Sequence, residues 1–185
     1  RSSSDKTLDY FAKYKVLQQS NTMPVTVTAF ASAAYFGLKN DLTNQLNTMD
    51  KMAYTTQLLI ARKISSRVSL QLAPSYLYRA TVEQDVTVNN LVSLGMAGRF
   101  KITKSMALLL EYNLRLNDKS NSTAKDAFGV CVEFETGGHV FQLVFTNTLG
   151  MVERQFIAET TEDFFDGDIH FGFNITRAFQ LGRKK

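Results

Sequence analysis

Histidine is the side chain best suited to acid–base and metal chemistry near neutral pH, and this chain has two, His139 and His170. His139 follows the tight sequence Thr136, Gly137 and Gly138, whereas His170 opens the last segment that has the residue pattern of a β-strand. If such strands cross a bilayer, the two imidazoles lie at opposite ends, about 25 Å apart. They cannot share a metal ion, so we predict no metal site, no cofactor and no catalytic residue.

An acidic cluster near the C-terminus is the second group that could bind a metal. Its carboxylates could offer oxygen ligands to Ca²⁺. They are Glu159, Glu162, Asp163, Asp166 and Asp168. Their spacing does not match an EF-hand loop, and an acidic loop on a cell surface is more commonly solvated or bridged loosely to lipopolysaccharide. The preceding residues 151–159 have helical composition, and we expect a short helix there that folds over or into the mouth of the fold.

The elements that must position these groups are β-strands, because the dominant hydrophobic periodicity is two. The alternation of apolar and polar residues is clearest over 68–79, 92–102 and 106–116. Weaker alternation runs over 8–17, 25–36, 52–63, 128–135, 140–148 and 169–181. The sequence thus predicts nine strands. Most are about ten residues long, which is the length that crosses a bilayer at a tilt.

The connections between these strands alternate strictly in length. The short ones are 18–24, 64–67, 103–105 and 136–139, and the long ones are 38–51, 80–90, 117–127 and 149–168. An outer-membrane barrel produces this alternation, because its periplasmic turns are short and its extracellular loops are longer. We therefore predict an all-β, antiparallel up-and-down transmembrane β-barrel whose short turns and C-terminus are periplasmic.

Composition is compatible with a membrane barrel and excludes other classes of protein. The chain of 185 residues is 44% hydrophobic. No apolar run approaches the length of a transmembrane helix, which is therefore excluded. Three residues of the C-terminal tail, Arg183, Lys184 and Lys185, supply most of the net charge of +4. No basic stripe marks a nucleic-acid-binding surface. The single cysteine, Cys131, cannot form an internal disulfide.

Alternate residues divide each strand into a polar and an apolar face. We predict that the polar face lines the lumen, with Lys13, Lys15, Gln71, Arg79, Arg99, Lys101, Glu111, Asn113, Arg115, Glu133, Glu135 and Asn174. The apolar face meets lipid, and its interface residues are Tyr54, Tyr76, Tyr78, Phe100, Phe179, Arg62 and Arg177. In a small barrel the lumen charges would pair and plug it, whereas in a wider one they would line a water-filled path biased toward anions.

A soluble barrel that carries lipid in an apolar interior is the alternative fold, with the polar face turned to water. Water-facing strands are usually rich in Lys, Glu and Thr. Here the polar face instead carries small neutral residues such as Ser69, Ala73, Ser75, Ser93 and Gly95. The large Leu, Phe and Tyr side chains of the other face would overfill a small barrel. The pattern therefore favours the membrane.

Three motifs in the C-terminal third resemble a known family. They are TGGHVFQL at 136–143, QFIAETT at 155–161 and GDIHFGFNIT at 167–176, with a further likeness over 57–63. They are similar to those of a family of outer-membrane β-barrel proteins of Gram-negative bacteria. The resemblance implies a single membrane-barrel domain and no particular reaction. It also implies about three strands ahead of residue 1, which would make about twelve in all. Bacterial barrels have an even number of strands, so nine strands also require an odd number of further ones.

One functional hypothesis and two alternatives follow. We predict a non-enzymatic, porin-like outer-membrane protein that acts as a narrow channel or as a membrane scaffold. Its expected partners are outer-membrane lipid, lipopolysaccharide and other outer-membrane or periplasmic proteins, and no nucleic acid. The first alternative is a lipid-acting barrel enzyme that uses His170, whose position shares the polar face with Asn174. The second is a soluble lipid-binding β-barrel.

Overall fold

Nine antiparallel strands form one sheet in chain order in the computed structural model, which describes residues 7–36, 47–80, 89–117 and 123–177. The strands are β1 (Thr7–Leu17), β2 (Thr26–Phe36), β3 (Met52–Lys63), β4 (Val68–Arg79), β5 (Asn90–Lys101), β6 (Met106–Arg115), β7 (Ala127–Thr136), β8 (His139–Thr146) and β9 (His170–Arg177). Each strand pairs with its neighbours in sequence, and the sheet curls into a half-barrel. The predicted up-and-down β architecture is confirmed.

The strand bounds follow the predicted ones closely. β3 and β4 coincide with the predicted segments 52–63 and 68–79. β8 ends at Thr146 rather than at residue 148. The reason is that the amide of Phe128, on the neighbouring strand, donates to the side chain of Asn147, at 2.8 Å, instead of to a backbone carbonyl. The strand predicted over 169–181 begins at His170 and is described as far as Arg177.

Hydroxyl groups close three of the four short turns. The side-chain oxygens of Ser20, Ser65 and Thr103 each accept hydrogen bonds from two backbone amides two and three residues further on. Such bonds satisfy turn amides locally. The fourth turn contains Gly137 and Gly138 with φ of 52° and 93°, a left-handed conformation that a hairpin of two loop residues requires. These turns set the register of the adjacent strands.

The register assigns each described residue to the concave or the convex face. All of the residues predicted to line the lumen share the concave face. The convex face carries Tyr54, Tyr76, Tyr78, Phe100, Arg62 and Arg177. Phe179 lies outside the described residues. Register pairs also align Tyr10, Ala33, Tyr54 and Tyr78 in one row near the long-loop end of β1 to β4.

One short helix, α1 (Glu153–Ala158), lies in the long connection between β8 and β9. It packs against the concave face of the sheet, so the expected helix within 151–159 is confirmed, as is its position in the mouth of the barrel. Phe164–Asp166 and Met49–Lys51 form single 3₁₀ turns. In the described parts of the chain, no helix is long and apolar enough to cross a membrane.

Candidate functional site

The connection between β8 and β9 folds into the concave side of the half-barrel, and we call residues 149–168 the plug segment. Its helix α1 buries Ile157 and Ala158 against Ala53, Leu77 and Leu91 of β3, β4 and β5. The side chains of Leu77 and Leu91 are fully buried, and the two residues are register partners. Full burial of such a side chain contributes about 2 kcal/mol. The lumen is therefore narrowed at the long-loop end by an apolar contact.

Sequence reasoning did not identify this docking patch, although a signal for it exists. Leu77 and Leu91 occupy the polar-face positions of their strands, near the long-loop end. Large apolar residues in the otherwise polar row break the alternation. A side chain that violates a period-two pattern next to a long loop is the expected signature of a loop that folds inward.

Asn147 links the plug segment to the wall through side-chain hydrogen bonds. It is 3% exposed, and its Nδ2 donates to the carbonyls of Asp126, at 3.0 Å, and Glu162, at 2.7 Å. Nearby, the Lys125 amide donates to the carbonyl of Thr160 at 2.6 Å. These bonds join the start of β7 to the far end of the plug segment.

The acidic residues of the plug segment are engaged in separate contacts rather than around a common centre. Glu159 forms an ion pair with Arg154 within the segment. Asp163 accepts a hydrogen bond from the Phe165 amide at 3.0 Å and lies 3.6 Å from Lys125 Nζ. Within residues 7–36, 47–80, 89–117 and 123–177, no three metal-ligating side chains converge.

The two histidines lie at opposite ends of the β8–β9 pair. His139 is the register partner of Arg177 at the short-turn end, whereas His170 pairs with Thr146 at the long-loop end. His170 Nε2 makes a close contact with Glu162 Oε2. The imidazole thus meets a carboxylate of the plug segment, and this contact adds a further link between β9 and the segment.

The plug segment also reaches the outer side of the wall. Phe164 and Phe165 pack on Phe128, a convex-face residue of β7, with ring centroids 4.7 Å and 5.5 Å apart. Because α1 lies on the concave face, the segment passes over the rim of the sheet. The rim therefore lies between aromatic contacts on the convex face and apolar contacts on the concave face.

Charged residues of the lumen pair across strands. Arg99 of β5 and Glu133 of β7 approach to 2.5 Å, and Gln142 of β8 donates to the other Glu133 oxygen at 2.9 Å. At the long-loop end, Arg115 is buried beside Asp126, with Nε and Oδ1 3.9 Å apart. Lys13 lies 5.5 Å and 5.7 Å from the ring centroids of Phe11 and Phe30. Arg99 and Glu133 thus pair with each other, as predicted for the lumen charges of a small barrel.

Glu153 of α1 faces the wall across the lumen. The Ser32 hydroxyl lies 3.5 Å from its Oε2. Burial is the largest effect and, together with the nearby charge of Asp9, it raises the pKa of the Glu153 carboxyl above its ordinary value. A backbone hydrogen bond at Glu153 itself, Lys13 and the Ser32 hydrogen bond act in the opposite direction. The affinity of the Glu153 carboxyl for its proton therefore depends on whether α1 is docked.

A cavity of about 260 Å³ remains between the plug segment and the wall formed by β6 to β9. The wall contributes Glu111, Asn113 and Asn174, and the plug segment contributes Met151 and Phe156. The plug segment thus fills the lumen next to β3, β4 and β5 and leaves a cavity next to β6 to β9.

The model of one family, the membrane bound beta barrel domain (DUF5777), matches residues 1–179. No curated protein and no solved structure is detectably similar to the chain. The match covers all nine strands of the described residues and the plug segment.

Proposed function

The chain belongs to the family of membrane-bound β-barrel domains, and on that premise we propose that it acts as a narrow, non-enzymatic channel in the outer membrane of Gram-negative bacteria. The docking of α1 on Leu77 and Leu91 is the observation that carries this proposal. A segment folded inward from a long loop reduces the cross-section of a barrel. The open cavity of about 260 Å³ beside α1 leaves room for small solutes.

Conductance across a planar lipid bilayer tests the proposal. The full-length barrel should give small discrete steps, and replacement of 151–159 by a Gly-Ser linker of equal length should enlarge each step several-fold. A second variant, Ile157→Asp, should undock α1 with a single change, because it places a charge in a fully apolar contact. Correctly folded protein that stays silent in both forms would overturn the channel and favour a membrane scaffold for a partner protein.

The outer-membrane location and the periplasmic C-terminus are part of the same proposal. They are supported by the difference between the four short turns and the long loops, because outer-membrane barrels keep their short turns in the periplasm. Single cysteines placed within 38–51 or 117–127 should react with a membrane-impermeant biotin reagent on intact cells. A cysteine within 103–105 should react only after the outer membrane is permeabilised, and the reverse labelling would invert the orientation.

Outer-membrane lipid and lipopolysaccharide are the proposed partners of the convex face. Exposed rings of Tyr10, Tyr54, Tyr76 and Tyr78 lie near the long-loop end of that face. Tyrosine is favoured at the headgroup level because its ring is apolar and its hydroxyl is polar. At the opposite end, Arg62 is placed to reach headgroups.

A further inference from the structure

The cavity between the plug segment and the β6–β9 wall has the chemistry of a ligand site. Its lining combines polar side chains, among them Glu111, Asn113, Gln142 and Asn174, with a larger apolar surface, which is the usual character of a small-molecule site. We propose that it binds a small organic cation with several hydrogen-bond donors, of the class of protonated aliphatic amines. This proposal does not depend on whether the barrel conducts.

A buried acceptor in the wall needs a donor. Asn113 of β6 is 3% exposed and lines the cavity. Among the residues that the structure describes, its Oδ1 has no hydrogen-bond partner. A buried carbonyl oxygen without a donor is costly, because it has lost its water and gained nothing. An ammonium group in the cavity would supply that donor once the Asn113 amide turns toward it, because the oxygen is buried in the arrangement shown.

The charge of the lining favours a cation. Glu111 of β6 lies two residues from Asn113 on the same face, and among the described residues no Lys, Arg or His lines the cavity. Glu111 takes part in no ion pair within the described ranges, in contrast to Glu133, which Arg99 neutralises. Glu153 of α1 adds a second carboxyl close enough to interact electrostatically with Glu111. These carboxylates would repel an anion and attract a cation.

The plug segment provides the apolar side of the proposed amine site. The aromatic side chain of Phe156 and the thioether side chain of Met151 line the same cavity, opposite the polar groups of the wall. An aromatic ring attracts an organic cation through its negative face, and apolar side chains accommodate its methylene groups. The walls thus offer an acceptor, a carboxylate and an apolar surface to one small molecule.

Isothermal titration of the full chain in detergent micelles tests this inference with three probes of equal carbon number: 1,4-diaminobutane, 1,4-butanediol and succinate. The diamine should bind, and the diol and the dianion should bind at least tenfold more weakly. Glu111→Gln should weaken diamine binding at least tenfold. Glu135→Gln is the matched control, because Glu135 shares the concave face but does not line the cavity. It should leave binding unchanged.

Several outcomes would overturn the inference. These are no heat with the diamine at millimolar concentration, equal binding of the diamine and the diol, and equal loss in both Gln variants. Should Glu111→Gln fail to fold, Phe156→Leu replaces it, with a several-fold loss expected and an unchanged affinity contradicting the site. The titration involves no current, so a silent barrel that binds the amine refutes only the channel. A conducting barrel that ignores the amine refutes only the site.

Discussion

At the scale of single residues, the concave face is organised by polar side chains that satisfy one another across strands. Glu133 accepts hydrogen bonds from both Arg99 and Gln142, so one carboxylate joins β5, β7 and β8. Asn147 performs the same task at the rim with amide groups. Buried polar groups with full sets of partners fix a single arrangement, because any shift leaves a group unpaired.

Removal of Glu133 tests the cross-strand network. Glu133→Ala leaves Arg99 without its carboxylate in a half-buried site, so we expect a loss of about 2 kcal/mol in the free energy of unfolding. Urea titration in phospholipid vesicles, followed by the mobility shift of folded barrels on gels, gives this value. Glu135→Ala is the control on the same strand and face, and it should change stability by less than about 0.5 kcal/mol. Equal effects would show that the network does not stabilise the sheet.

Asn147 offers a test in which size is kept. Asn147→Asp retains the acceptor for the Phe128 amide but loses both donors to the carbonyls of Asp126 and Glu162. We expect the plug segment to loosen and the fold to lose about 2 kcal/mol, because two half-buried carbonyls lose their donors. Limited proteolysis at Arg154 should accelerate. Leu149→Ala, at an exposed position two residues further on, should not change the cleavage rate.

At the scale of elements, α1 illustrates a helix that exists because of where it docks. It has six residues, far fewer than a helix needs to be stable alone. Its first turn carries Glu153, and its last two residues are buried on Leu77 and Leu91. The wall therefore selects the helical state of this part of the plug segment.

The raised pKa of Glu153 makes the docking of α1 dependent on pH. A carboxyl whose pKa is higher in the docked state than in the undocked state holds its proton more tightly when docked. Docking should therefore strengthen as the pH falls from neutral toward 4.5, the ordinary value for glutamate, and weaken as it rises through the raised pKa. Hydrogen exchange of the α1 amides, corrected for intrinsic rates, should slow at pH 5 relative to pH 8. Glu153→Gln should abolish the difference, and a slower exchange at pH 8 in the original chain would contradict the assignment.

At the scale of the whole molecule, the two faces of the sheet meet different surroundings. Large apolar side chains remain exposed along the convex face, such as Leu72 (48%), Phe171 (64%) and Ile175 (57%). An apolar surface of this extent is unusual for a protein in water but is required in lipid. Membership of a membrane-barrel family agrees with this distribution.

Two neighbouring positions on β4 test the assignment of the faces. Leu72→Arg places a charge on the convex face near mid-strand, and we expect it to cost about 2–4 kcal/mol in vesicles. Gln71→Arg places the same charge on the concave face and should cost less than about 1 kcal/mol. Unfolding in urea measures both. A larger cost for Gln71→Arg would mean that the concave face is the lipid-exposed one.

The edges of the half-barrel bear on its closure. Within the described residues, β1 and β9 pair with β2 and β8 but not with each other. Unpaired strand edges are not tolerated in lipid, because their amides and carbonyls have no water to bind. The expectation of about three further strands, which would make about twelve in all, stays a prediction. Cross-linking of single cysteines on β1 and β9 to their partners in the full barrel would identify what covers each edge.

The sequence by itself determined the strands, their two faces and the turns, because each depends on residues close together in the chain. A period of two assigns a face to every residue of β3 or β4, and a hydroxyl such as that of Ser65 closes its own turn. Only the tertiary structure decided how the plug segment docks, how Asn147 fixes it and which groups surround the cavity. The contact between Ser32 and Glu153 joins residues 121 positions apart. Such contacts depend on the curl of the whole sheet, which brings distant strands around one loop and which no local pattern encodes.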